Sequence, residues 1–264
     1  MEILGYTASV LIGISLGLIG GGGSILTVPV LVYLFGLDAL LATEYSLFIV
    51  GASSIVGSFS YCKKGWVDFK IALIFGIPSV MAIFLTRTYF LPFIPDILIK
   101  IHDFAITRNV FLLLLFAGLM ILASYKMIRT QATLGISEVD HGENKTLLAM
   151  AQGAVVGILT GLVGAGGGFM IIPALVNLLK VSMKTAIGTS LVLISFNSLI
   201  GFLSSVNDAR INWNILSSVT AIAILGILIG SQLSKKIDGK KLKPAFGWFI
   251  LIMGIYIITR ELFF

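Results

Sequence analysis

Apolar residues run almost unbroken along this chain, and the polar positions that interrupt them are clustered. Stretches 3–37, 147–179, 185–207 and 211–234 carry no formal charge, and a helix needs about twenty such residues to cross a hydrocarbon core. Charged and turn residues divide the chain into ten helical pieces, at 3–19, 24–37, 42–62, 66–86 and 108–128 and then at 146–163, 168–179, 185–206, 211–234 and 244–261. Between the fourth and fifth pieces, YFLPFIPDILIKIHDFAITR at 89–108 is mixed in charge and broken by proline, which predicts an interfacial segment. These elements predict an all-α integral membrane protein with a first membrane repeat at 1–128, a polar cytoplasmic linker at 129–145 and a second membrane repeat at 146–264.

The word repeat rests on register. A shift of 144 positions lays GLIGGGGSILTVP (17–29) on GLVGAGGGFMIIP (161–173) without a gap. Gly17, Gly20, Gly22, Gly23 and Pro29 meet Gly161, Gly164, Gly166, Gly167 and Pro173, and beyond them Ala42, Ser46, Leu47, Ser54 and Gly57 meet Ala186, Ser190, Leu191, Ser198 and Gly201. WVDFKI meets RINWNI. Scattered Leu and Ile matches arise between any two apolar helices, whereas this register of Gly, Pro and Ser marks a duplication.

Glycine and proline both weaken helices, so a paired cluster inside two apolar stretches asks for a cause. Gly13, Gly17 and Gly21 recur every four residues, as do Gly157 and Gly161, and that spacing lets membrane helices pack closely. Four adjacent glycines, Gly20, Gly21, Gly22 and Gly23, exceed any packing need and predict a broken helix, as do Gly164, Gly166, Gly167 and Gly168 in the copy. The piece after each cluster is too short to span, so each half holds either a glycine-broken helix pair or a re-entrant hairpin. Backbone exposed at membrane depth is tolerated around a cavity. Glycines in left-handed conformations turn successive N–H groups inward as a nest, and the following helix adds a positive dipole end. The prediction is an anion site with hydroxyl donors from Ser24 and Thr27, and with Pro29 and Pro173 as helix-breaking residues near the first turn.

Composition fixes the setting. The 264 residues are 58% hydrophobic and 11% charged, with a mean hydropathy of +1.07, far from a soluble domain. The net charge of +6 lies almost wholly in short segments between apolar runs, which excludes a nucleic-acid face and makes the charge a record of topology. If both termini share one side, twelve Lys and Arg fall on the opposite side and five on the termini side, with Lys70 left inside a helix. The basic side is then cytoplasmic, both termini face outward, and the two five-segment halves are inverted. The N-terminus lacks a basic leader region, so the first segment is expected to be retained. Cys62 is the only cysteine, which excludes an intrachain disulfide and reads as a small apolar filler. His102 and His141 have no metal-spaced partners and read as solvated, and Lys70 and Arg87 read as snorkelling to opposite interfaces.

At the glycine clusters the sequence resembles the TauE/SafE family of membrane permeases, the sulfite exporter or DUF81 family. The likeness covers nearly the whole chain: the paired clusters with their prolines, AIGTSL at 186–191, WVDF and INW opening each fourth helix, and the polar central linker. It implies transport of small sulfur-containing anions such as sulfite, sulfoacetate or other organosulfonates. One departure stands out. The second half carries Gly188, Thr189 and Ser190, as the family pattern does, where the first half has Glu44, Tyr45 and Ser46. The simpler reading of Glu44 is a hydrated carboxylate in the first turn of the third helix. The functional reading is a proton-coupling group whose ionisation repels the anion. Tyr45, Ser46, Ser53, Ser54, Thr189, Ser190, Asn197 and Ser198 can hydrogen-bond an oxyanion or tie helices together, and Asn197 is the costliest to bury unpaired.

The expected function is a secondary transporter of a bacterial inner or plasma membrane, moving a small anion by alternating access as the halves rock around a midplane site. Its expected partners are the anionic substrate and the lipid bilayer, with no nucleic acid and no cofactor, and homo-oligomerisation is left open. The spans hold no His and there is no ATP-binding motif, which argues against an enzyme or a pump. An anion channel, or a carrier for a different small carboxylate or oxyanion, is the rival.

Overall fold

The computed structural model describes residues 2–21, 23–101, 104–129, 143–164, 166–177, 179, 181–205, 211–234 and 239–263. Gly22, His102, His141 and most of the expected linker lie outside the described residues. The first half comprises α1 (Glu2–Ile19), α2 (Ser24–Tyr33), α3 (Ala39–Cys62), α4 (Phe69–Leu85), a π turn at Thr86–Phe90, the short α5 (Leu91–Phe93), strands β1 (Ile97–Ile101) and β2 (Phe104–Thr107), and α6 (Arg108–Arg129). The second half is α7 (Glu143–Val163), α8 (Gly168–Asn177), α9 (Met183–Leu203), α10 (Trp213–Leu233) and α11 (Gly239–Phe263). Ten of these helices match the ten apolar pieces.

Helix starts are written into the sequence and repeat with it. Asp38 caps α3 by accepting from the Leu41 N–H at 3.1 Å, and Ser182 caps α9 by accepting from Thr185 at 3.3 Å. Asp68 caps α4 through the Ile71 N–H at 3.0 Å, and Asn212 caps α10 through Asn214 at 3.1 Å. Each pair is related by the same 144-residue shift. A short polar side chain at each position satisfies one of the four amides that a helix start leaves unbonded.

Among the described residues, six helices are long and apolar enough to cross a membrane. On α4 an outward row of Phe69, Leu73, Ile77 and Met81 stays 58–62% exposed. Lipid tails cover such a row without cost, whereas water would not. Lys70 is exposed at the start of the same helix. The segment after α4 expected to be interfacial contains the antiparallel hairpin β1–β2, whose ends are tied by an Arg108–Asp96 ion pair at 2.8 Å. This hairpin is an addition to the expected all-helical architecture.

Packing crosses the sequence halves. α4 packs along α7, and its counterpart α10 packs along α1, while α3 pairs with α9 and α6 with α11. The upstream glycines account for the crossing. Gly13 and Gly17 lie against the α10 backbone between Ala223 and Ser231, and Gly157 and Gly161 lie against α4 between Ser79 and Thr86. A Cβ at any of these four would collide with the facing helix. They are packing residues, as their four-residue spacing predicts. Gly21, which shares that spacing in sequence, lies past the end of α1 and does a different job.

Candidate functional site

Both first helices stop at a glycine. Gly20 follows α1 with φ of 80° and Gly164 follows α7 with φ of 72°, a left-handed residue that costs glycine little and other residues about 1–2 kcal/mol. The Gly20 N–H returns to the Leu16 carbonyl at 2.8 Å and the Gly164 N–H to Thr160 at 2.8 Å. Gly166 and Gly167 are also left-handed, at 64° and 68°. Gly23, the counterpart of Gly167, is right-handed at −72° and serves as N-cap of α2, so the two loops differ in detail. Each chain then doubles back: Gly23 packs on Ile12 and Leu16 of α1, and Gly167 packs on Val156 and Thr160 of α7. α2 and α8 have ten residues each, about 15 Å, roughly half of a hydrocarbon core.

The helix break falls at the glycines and not at the prolines. Pro29 and Pro173 are each the sixth residue of a continuous helix, which corrects the expectation that they break it from the first turn. Each removes one backbone bond of the second turn, and the neighbouring bonds carry the helix four residues further. Ser24 and Thr27 also differ from expectation, since their hydroxyls donate to the Gly21 carbonyl at 2.7 Å and the Gly23 carbonyl at 3.3 Å. In this conformation they brace the loop.

The two breaks touch. A Cβ on Gly21 would fall on the Gly168 backbone, and one on Gly168 would fall on Gly21. They meet beside Ile194, near the middle of α9. Gly20 lies against Ser190 and Ile187, whereas Gly166 lies against Ser198, Ile194 and Val50. The α3–α9 seam that receives them is polar in register: Ser46, Ser53 and Ser54 on α3 correspond to Ser190, Asn197 and Ser198 on α9, and all six are fully buried.

Partners divide this set. The Ser190 hydroxyl donates to the Ile187 carbonyl at 2.8 Å, and the Asn197 amide donates to Ser79 on α4 at 2.8 Å. Thr189 accepts the Asp68 N–H at 2.9 Å, and Tyr45 accepts the Asn212 N–H in the corresponding place. These two tie the loops before α4 and α10 to the opposite half, so Tyr45 replaces Thr189 in role as well as in register. Among the described residues, the hydroxyls of Ser46, Ser53, Ser54, Ser198 and Thr160 and the carbonyl oxygen of Asn197 have no hydrogen-bond partner. Buried polar groups are almost always bonded, and of these six exceptions Ser198 and Thr160 lie directly against Gly166 and Gly167 of the second break.

Two charged residues depart from their expected places. Glu44 is buried at 6% exposure instead of hydrated, and its charge acts on Arg87. Arg87 does not snorkel: it is 3% exposed and donates to Gly161, Ser205 and Thr43. Sequence reasoning also missed Thr160, whose counterpart in the first half is Leu16, so the repeat gives it no signal. Among the described residues no group of His, Cys, Asp and Glu is placed to hold a metal ion.

Among the described residues, six helices long and apolar enough to span, with two half-length helices set off by glycine breaks, make up a multi-pass membrane protein. The chain belongs to the sulfite exporter TauE/SafE family, which matches residues 6–257. It is 30% identical to a probable membrane transporter protein of Xylella fastidiosa over 95% of this chain and 92% of that one. It is 26% identical to the probable membrane transporter protein YunE of Bacillus subtilis, covering 93% of each chain. A probable membrane transporter protein of Methanocaldococcus jannaschii is 27% identical over 94% of this chain and 92% of its own. No solved structure gives a significant match.

Proposed function

We propose that this protein is a secondary transporter of a small sulfur-containing oxyanion, sulfite or an organosulfonate, working by alternating access around the two glycine breaks. The observation that carries the reading is the set of unbonded buried hydroxyls beside two touching helix breaks. A hydroxyl left unbonded in a dry core costs about 1–3 kcal/mol, and an oxyanion supplies the acceptor that each one lacks. The N–H groups of Gly20 and Gly164 are spent on their own helices, and the starts of α2 and α8 beyond them present positive dipole ends. The choice of sulfur species follows the family's description.

Inverted halves are supported by which helix ends meet. The Tyr61 hydroxyl donates to the Gly17 carbonyl at 3.0 Å and lies 2.9 Å from the Ser234 hydroxyl, which joins the ends of α1, α3 and α10. Arg87 joins the ends of α7 and α9 to Thr43 near the start of α3. The first helices of the two halves therefore finish at opposite ends of α3. With the basic loops cytoplasmic, both termini face outward. Because α1 is held by α10 and α7 by α4, the rocking units are these crossed pairs and not the sequence halves.

Proteoliposome uptake of sulfite, thiosulfate, sulfate and organosulfonates, with and without a pH gradient, tests the proposal. Saturable uptake of sulfite or an organosulfonate with counter-transport is expected. Flux of none of them removes the substrate class, and large unitary currents would make the protein a channel. Ser54→Ala and Ser198→Ala each remove an unbonded buried hydroxyl and are expected to raise the thermal midpoint while raising KM about tenfold each, because a hydrogen bond to a charged ligand contributes about 1.5–3 kcal/mol. A stability loss with unchanged KM would return both to the packing class.

Glu44 is the proposed proton-coupling group, since anion binding beside a buried carboxylate is favoured by its protonation. E44Q is expected to transport at a rate that no longer responds to an imposed pH gradient. Equal responses in E44Q and the parent protein would take Glu44 out of the coupling.

A further inference from the structure

Arg87 has no part in the site just described, yet its guanidinium donates from all three nitrogens inside the protein. Nε reaches the Gly161 carbonyl at 3.0 Å, one Nη the Ser205 hydroxyl at 2.9 Å, and the other the Thr43 hydroxyl at 3.1 Å. Gly161 lies in the last turn of α7, Ser205 just beyond α9 and Thr43 near the start of α3, so one side chain clasps three helices to α4. Arg87 itself lies within the π turn Thr86–Phe90. A π turn of this kind rotates the residues beyond it relative to an ideal helix and is common at functional sites.

The clasp adjoins the second break. Gly164 packs directly on Thr43, so a single residue separates the guanidinium from a left-handed glycine of the proposed anion site. The corresponding clasp at the first break is neutral: the Gly17 carbonyl is held by the Tyr61 hydroxyl, and the residue in register with Arg87 is Ser231. A neutral donor therefore suffices to hold such a helix end shut. What the arginine adds is affinity for an anion. Its three acceptors are neutral, each taking one bond from it, and Glu44 on α3 lies within electrostatic reach. An oxyanion offers two parallel charged acceptors to a guanidinium and outcompetes neutral oxygens for it.

We propose that Arg87 is an anion-operated gate on the side of the second glycine break: unoccupied, it clasps α7, α9 and α3 together, and a substrate anion opens that side by taking the guanidinium from Gly161, Ser205 and Thr43. The inference rests on the anion-transport reading above. It makes opening on this side conditional on negative charge, so neutral solutes of similar size leave the gate shut, while the Tyr61 side carries no such condition.

The test is a thiol reporter under the clasp. Leu47 is fully buried on α3, one turn beyond Thr43, and packs against Gly201 of α9. Leu47→Cys in a Cys62→Ser background is labelled with a hydrophilic maleimide in proteoliposomes. With Arg87 in place, labelling is expected to be slow, to rise about tenfold with sulfite, and to ignore the neutral solute dimethyl sulfone. R87Q/E44Q removes both charges, so that no buried carboxylate is stranded, and is expected to label fast with or without sulfite. R87K keeps the sulfite response at higher sulfite concentration. Slow labelling in R87Q/E44Q, or an equal rise with dimethyl sulfone, overturns the gate. Sulfite uptake by the parent protein with labelling indifferent to Arg87 removes the gate alone. No uptake of any anion, with R87Q/E44Q still labelling fast, removes the substrate class and leaves the clasp.

Discussion

Gly166→Leu is expected to abolish transport, with initial uptake down at least about 100-fold, in protein that still inserts and elutes as a single species. Gly166 has φ of 64° and lies against Ser198, Val50 and Ile194. A leucine there meets about 1–2 kcal/mol of backbone strain and about 1–3 kcal/mol of overpacking, which lowers stability without unfolding a membrane domain. Its side chain would occupy the ground against the Ser198 hydroxyl, and a 100-fold loss needs only about 2.7 kcal/mol. Gly21→Ala is expected to act through a different contact, by pushing its break off Gly168. Gly118→Ala is the control, because a Cβ there meets nothing within 4 Å, and full uptake is expected. Full uptake by Gly166→Leu and Gly21→Ala as well would mean that the breaks are not where the anion binds.

Arg87→Met is expected to lower stability by about 3–5 kcal/mol, the usual result of removing one charge from a buried, hydrogen-bonded set. Thermal unfolding in detergent measures it. Adding E44Q should recover most of the loss, since an uncharged pair of similar volume is often as stable as the charged one. Arg260→Met is the comparison: its guanidinium lies 4.1 Å from the centre of the Tyr33 ring, an exposed contact contributing about 0.5–1 kcal/mol. Equal losses at Arg87 and Arg260, or no recovery in the double variant, would show that the Arg87 charges are not what holds the helix ends.

The helices were legible because uninterrupted apolar runs, capped by Asp38, Asp68, Ser182 and Asn212, have few other ways to satisfy their backbone in lipid. The glycine breaks were legible for the complementary reason, that four adjacent glycines cannot be explained by packing. Arg87 was misread because a charge near the end of an apolar run looks interfacial. The π turn and α5 carry the helix on to Phe93, which draws Arg87 inward, and neither is visible in hydropathy. Glu44 was misread in the same way, since burial at a helix start depends on what packs over it. Thr160 was invisible because its counterpart is Leu16. The pairing of α4 with α7 and of α10 with α1 is a long-range property; the small residues announced that close packing occurs but not with which partner.

That pairing bears on the history of the chain. Gly13 and Gly17 are covered by α10, and Gly157 and Gly161 by α4 and the residue after it, so the glycine face of each first helix is covered from the other half. A polypeptide of half this length would have had to assemble as two intertwined copies, each lending its fourth helix to the other. Carrying both halves in one chain makes that exchange internal, and the cover of each first helix then depends on both halves being present.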